Sequence, residues 1–162
     1  MASLTLYCCG GAATNIGKTF HNPGKTMPGF AQIKTCFIDT SGSIGERDLQ
    51  IALGSVRSIL QAFSVEKLHI IYWDDGVAGH EVYSLVDDQV VEQTHPVGGG
   101  GTSFAPVLGY LNKHKIRPSF GVCFTDGYIG DWGRDPGWPM LWVVSTDQQA
   151  PWGRQVRYTE GN

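Results

Sequence analysis

The sequence predicts a three-layer α/β/α domain with a mostly parallel central sheet and one antiparallel edge strand. Three observations carry that expectation. Short, nearly continuous apolar runs rich in Val, Ile and aromatics recur along the chain, as expected of strands buried on both faces. Amphipathic helical patterns lie between them, and glycine clusters sit where the segments meet.

Taken in order, the first strand is read at 4–9 (LTLYCC), followed by a glycine-rich turn, GGAATNIG, over 10–17. The Pro/Gly stretch at 22–29 is the one candidate boundary. Residues 1–30 are therefore expected to be a strand and turn packed on the same sheet, and 31–162 the main domain. A second strand is read at 33–38 (IKTCFI). From Glu46 to Phe63 the apolar residues Leu49, Leu53, Val56, Leu60 and Phe63 share one helical face. Gly45 precedes that helix, and Glu46 and Asp48 suit the positive end of its dipole. A third strand follows at 68–73 (LHIIYW), and 80–91, with Val82, Leu85, Val86 and Val90 among polar residues, is read as an antiparallel hairpin or edge strand. A second helix is expected from Phe104 to about Lys115, with Ser103 as N-cap and Pro106 tolerated in the first turn. Two more buried strands are read at 120–124 (FGVCF) and 141–144 (LWVV).

Composition narrows the function classes. A chain of 162 residues buries about 68–70% of its unfolded surface, so folding needs no disulfide or metal staple, and a bound metal would be functional. The formal charge of -3, from 12 basic and 15 acidic side chains without long runs of either sign, argues against nucleic acid. Cys8, Cys9, Cys36 and Cys123 form no C-x-x-C pair, and they lie in apolar runs, the pattern of reduced, buried thiols. No stretch approaches the roughly 20 apolar residues of a membrane span, and the start lacks a basic signal-peptide region. The expectation is a soluble cytoplasmic protein.

Three polar clusters fall at carboxyl ends of predicted strands, where open α/β sheets bind their ligands. Asp39-Thr40-Ser41-Gly42-Ser43 follows 33–38, Thr102 follows the run Gly98 to Gly101, and Asp126-Gly127 follows 120–125. The carboxylates of Asp39 and Asp126 and the hydroxyls of Ser41, Ser43 and Thr102 are hard oxygen donors, suited to Mg²⁺, Mn²⁺ or Ca²⁺. Mg²⁺ takes six oxygens at about 2.0–2.1 Å and readily accepts one from outside. Each cluster also has a plainer reading: an Asx turn capping the following helix at Asp39 to Ser43, a helix cap at Thr102 and Ser103, and a strand-ending turn at Asp126-Gly127. Around the set, Asp74, Asp75, Gly101, Ser103, Gly127, Tyr128 and Trp132 are candidates for a second layer or a partner rim. For Asp74 and Asp75 a solvated turn before Gly76 is the default, and for Tyr128, Trp132 and Trp138 packing of the Gly/Pro-rich loop. His80, His95 and His114 match no zinc spacing and are read as surface or rim residues.

The strings FIDTSGS, GGGGTSF and FTDG, in that order, resemble the metal-ion-dependent adhesion site (MIDAS) of von Willebrand factor A-type (VWA) domains, with its D-x-S-x-S, distant Thr and distant Asp. Asp39, Ser41 and Ser43 match the first element, Thr102 and Asp126 the others. GGGGTSFAPV, FTDGYIGDW and PMLWVVS resemble the compact bacterial and phage VWA-like domains of metallopeptidase-like proteins, which are often associated with MoxR-type AAA+ ATPases. The resemblance runs from about Ile33 to Tyr158. It implies a Rossmann-like fold and a non-catalytic, Mg²⁺-dependent protein-interaction module whose ion accepts an Asp or Glu of a partner. The chain departs from the family in its short length and in lacking a clear final helix after 156–158. Residues 4–17 also resemble, more distantly, the first nucleotide loop of tubulin and FtsZ proteins, which would imply a nucleotide binder. A metal-dependent phosphohydrolase is a third reading, for which no His or Glu is placed beside the loops as a base.

Overall fold

The computed structural model describes residues 6–7, 33–62, 67–84 and 101–158. The readings made for 10–17, 22–29 and 85–100, and for Cys8, Cys9, Phe63 and His95, lie outside the described residues. Among the described residues seven strands form one sheet: β1 (Leu6–Tyr7), β2 (Ile33–Asp39), β3 (Lys67–Trp73), β4 (Val77–Ser84), β5 (Phe120–Thr125), β6 (Met140–Val144) and β7 (Arg154–Tyr158). Two helices complete the described elements, α1 (Glu46–Ala62) and α2 (Ala105–Lys113).

The sheet order is β1-β7-β6-β5-β2-β3-β4. Strands β7, β6, β5, β2 and β3 run parallel, β4 closes one edge antiparallel to β3, and β1 pairs antiparallel with β7 at the other. The α/β sheet expected from the alternation of apolar runs and helices is therefore present. Strand β7 was not read from the sequence. Its segment RQVRY buries only Val156, while Arg154 and Arg157 are exposed, so it lacks the apolar run that marks its neighbours.

Each face of the sheet has its own core. Cys36, Ile38, Leu68, Ile70, Val122, Phe124, Leu141 and Val143 pack on one side, with Ala52, Leu49 and Leu53 of α1 against them. Phe37, Ile71, Trp73, Cys123, Trp142 and Val144 project to the other, where Phe104, Val107 and Leu111 of the α2 segment meet them. This is the period-2 pleat of each strand feeding two layers. Cys36 and Cys123 therefore lie on opposite faces; both are free and buried, and burial pushes the Cys36 thiol up to about 12.

Helix α1 begins as its sequence requires. The Gly45 N–H donates to Asp48 Oδ2 at 3.2 Å, the reciprocal half of a capping box. Helix α2 begins differently from the expectation. The residue at the N-cap position is Phe104, without a side-chain cap, and the Phe104 and Ala105 N–H groups donate to the Asp131 carbonyl at 2.7 and 3.3 Å. Ser103 is instead held in a parallel bridge to Asp131, so a carbonyl from a distant loop caps the helix in place of the serine hydroxyl.

Candidate functional site

Parallel register sets the carboxyl edge level. Asp39 pairs with Trp73 across β2 and β3, Ile38 with Phe124 across β2 and β5, and Thr125 with Val144 across β5 and β6. Asp39 and Thr125 are thus neighbours at the ends of adjacent strands. After β2 the chain moves to β3 on one side, and after β5 it moves to β6 on the other. The loops after β2 and β5 leave in opposite directions, which makes the gap between Asp39 and Asp126 the topological switch point of the sheet.

The first loop turns back on its own aspartate. The Ser41 N–H donates to Asp39 Oδ1 at 2.9 Å, and the Ser41 and Ser43 hydroxyls stand 3.4 Å apart. The Asx turn considered as the plain reading is therefore present. Thr40 anchors the loop sideways, donating from both its N–H (2.8 Å) and its hydroxyl (3.0 Å) to the Trp73 carbonyl. Ser43 is exposed, whereas Asp39 and Ser41 are buried.

The other two loops are tied to each other. The Gly130 N–H donates to the Thr102 carbonyl at 2.9 Å, and the Ser103 N–H donates to the Asp74 carbonyl at 2.8 Å. Thr102 is thereby suspended between the end of β3 and the loop after β5. Asp126 is buried, and its Oδ1 accepts the Tyr128 N–H at 3.0 Å. Gly127 takes φ +84 with Gln148 and Val144 pressed where a Cβ would stand, so glycine is required at that turn.

The rim residues divide. Tyr128 is 58% exposed beside Asp126, one of two large hydrophobic side chains so exposed among the described residues. Trp132 packs edge-on against Trp142 with ring centres 4.9 Å apart, so it supports the loop. Asp74, Asp75 and Gly76 form the turn between β3 and β4, with the Asp74 N–H donating to the Gly76 carbonyl. Gly101 lies next to the exposed Asp75.

Residues 35–159 match the family model described as VWA-like domain (DUF2201). The chain belongs to this VWA-like family. A search of curated proteins gives no match. The match begins after the segment resembling the tubulin and FtsZ loop and does not extend to it.

The chemistry of the VWA-like site is that of an electrostatically costly pair. Burial pushes the Asp39 carboxyl above its ordinary range; bonds from Thr125 and Ser41 pull it back in part, and the nearby Asp126 charge raises it again. A cation between the two loops would relieve both the burial and the repulsion. Asp39, Ser41, Ser43, Thr102 and Asp126 would offer only oxygen, the donor chemistry of a hard divalent ion. Among the described residues no three His, Cys, Asp or Glu side chains gather as a metal cluster. A soft-metal centre would be built from such a cluster; a hydroxyl-rich one would not.

Two features of the site went unread in the sequence. The Thr125 hydroxyl donates to Asp39 Oδ2 at 2.6 Å, a bond between residues 86 positions apart, and the Thr146 hydroxyl donates to the Asp126 carbonyl. Both threonines stand at strand ends next to the site, yet only the register of β2, β5 and β6 shows what they reach. His80 also departs from its reading as a surface or rim residue. It is half-buried, with Nε2 2.8 Å from His69 Nδ1 and Nδ1 2.9 Å from the Tyr110 hydroxyl. His69 lies four positions before Trp73 on β3, roughly 13 Å from the carboxyl edge at about 3.3 Å per residue.

Proposed function

We propose that this VWA-like domain is a protein-interaction module working through a bound divalent ion, Mg²⁺ or alternatively Mn²⁺ or Ca²⁺. Asp39, Ser41, Ser43, Thr102 and Asp126 hold the ion, and a carboxylate from an Asp or Glu of a partner protein completes its shell. The observation that carries this reading is the pair of buried aspartates at the switch point, Asp39 at the end of β2 and Asp126 just after β5, with the Thr125 hydroxyl bonded to Asp39. With few anionic ligands of its own, the ion stays electrophilic toward an outside carboxylate. Tyr128, exposed beside Asp126, is the contact residue on the rim. The partner class implied by the resemblance to compact bacterial and phage domains is a MoxR-type AAA+ ATPase. The cytoplasm is the matching compartment, since Cys36 and Cys123 are free thiols. Among the described residues no helix is long and apolar enough to cross a membrane.

Mg²⁺ is expected to raise the melting temperature in a dose-dependent way, with a stabilisation of about 1.4 kcal/mol at tenfold excess over the dissociation constant. Asp39→Ala and Thr102→Ala abolish that response. A parent-like response in both variants would show that the ion binds elsewhere.

A further inference from the structure

We propose that Thr125 is a positioning residue of the metal centre, one that orients the Asp39 carboxylate toward the ion and ties it to the Asp126 turn without entering the coordination shell. The inference rests on the metal-binding reading above and adds a residue to it.

The hydrogen-bond inventory of Thr125 gives it this role. A threonine hydroxyl has one proton to donate. Here the Gly127 N–H donates to Thr125 Oγ1 at 3.0 Å, and the hydroxyl proton goes to Asp39 Oδ2 at 2.6 Å, the length of a charge-assisted O–H···O⁻ bond. Its one proton is thus committed to Asp39, and one acceptor position to the turn that follows Asp126. The Thr125 backbone is fixed as well, because β5 pairs it with Val144 and its carbonyl accepts the Ser145 N–H at 3.1 Å. A β-branched side chain on a fixed strand has little rotamer freedom.

The consequence falls on Asp39. Its Oδ1 accepts the Ser41 N–H and its Oδ2 the Thr125 hydroxyl, so the carboxylate is gripped at both oxygens, and each oxygen keeps lone-pair capacity for the ion. The grip from Ser41 is local to the loop. The grip from Thr125 comes from the strand that carries the second aspartate, so a single hydroxyl fixes how the two carboxylates stand toward one another before any ion arrives. Residues that orient metal ligands in this way typically contribute 10- to 100-fold in affinity.

The test is Mn²⁺ binding by calorimetry on the full chain, alongside the melting temperature of the metal-free protein. Thr125→Val keeps the shape and removes the hydroxyl, and its Mn²⁺ dissociation constant is expected to rise about 10- to 100-fold. Thr125→Ser restores the hydroxyl and should return the constant to within about threefold of the parent. Thr125→Cys, close in size but a weak donor, should behave like valine and gives the same reading if the valine variant does not fold. A lowered melting temperature with an unchanged constant in Thr125→Val and Thr125→Cys would reduce Thr125 to a structural residue and overturn the proposal. Asp39→Ala separates the two levels. If it loses Mn²⁺ while Thr125→Val keeps it, only the role of Thr125 fails; if Asp39→Ala binds as the parent does, the metal reading itself fails.

Discussion

The two faces of the sheet are built from different materials, and the difference divides the labour of the site. On the α2 face the core is aromatic. Phe104, fully buried, meets Phe37, Trp73 and Trp142 edge-on with ring centres 5.2, 5.1 and 5.0 Å away. Trp142 in turn meets Trp132 and Trp152 at 4.9 and 5.0 Å, and the Trp152 indole N–H donates to the Gly133 carbonyl. This cluster backs the loops carrying Thr102 and Asp126, which are joined by backbone hydrogen bonds. On the α1 face the core is mainly aliphatic, and the loop from Asp39 to Ser43 is held by the side chains of Asp39, Thr40 and Thr125 together with the Thr40 N–H bond to the Trp73 carbonyl. Two loops of the proposed centre are thus backed by aromatic packing, and the third is held mainly by hydroxyls and a carboxylate. Stability and metal affinity should then be separable by mutation.

The largest expected effect lies on the aromatic face. Phe104→Ala removes the side chain on which three rings converge and should destabilise the protein by about 3–5 kcal/mol in urea denaturation. Leu49→Ala on α1, half-buried against the aliphatic face, should cost clearly less. Equal losses would erase the contrast between the faces.

A smaller effect is set by pH. Burial, the neighbouring His80 and Lys67 lower the His69 pKa to about 4, and His80 is lowered by burial and by the charges of His114 and Lys67. Lys67 and His69 stand on β3, His80 on β4, and Tyr110 and His114 on or just after α2. Both imidazoles are neutral in the fold and would be protonated at higher pH once unfolded. The stability that neutral His69 contributes is therefore present above the ordinary histidine value of about 6.5 and is lost progressively as the pH falls from there toward about 4; the contribution of His80 changes in the same direction. Asp39 acts in the opposite sense. Its folded-state pKa is raised, so its contribution is present below the unfolded value and is lost as pH rises through the folded one. Stability followed from pH 7.5 to 4 should show a shallower acid decline in His69→Gln and a steeper one in Asp39→Asn. Parallel curves for all three proteins would remove both assignments.

What was legible in the sequence follows the same division. β2, β3, β5 and β6 were read because a strand buried on both faces must be apolar throughout, and α1 because its apolar residues keep one face. Asp39 and Asp126 stood out because a charge that ends such a run marks a strand's carboxyl end. β7 is not legible, because a strand with exposed arginines carries no run. Ser103 reads as a cap from the sequence, whereas the carbonyl that caps α2 belongs to Asp131, 28 positions from Ser103. Thr125 and the His69–His80 contact were beyond reach for a related reason. Both depend on strand order and register, and a sequence gives the period of a strand without naming its neighbour.

In the proposed centre three loops, two backed by aromatic packing and one held mainly by hydroxyls and a carboxylate, serve one ion. Calorimetric titration of Mg²⁺ into the parent and into one variant per loop, Ser43→Ala, Thr102→Ala and Asp126→Asn, is the test. One ion per chain is expected in the parent and at least tenfold weaker binding in every variant. Parent-like binding in any one of the three would show that its loop takes no part in the centre, and the single shared site would be contradicted.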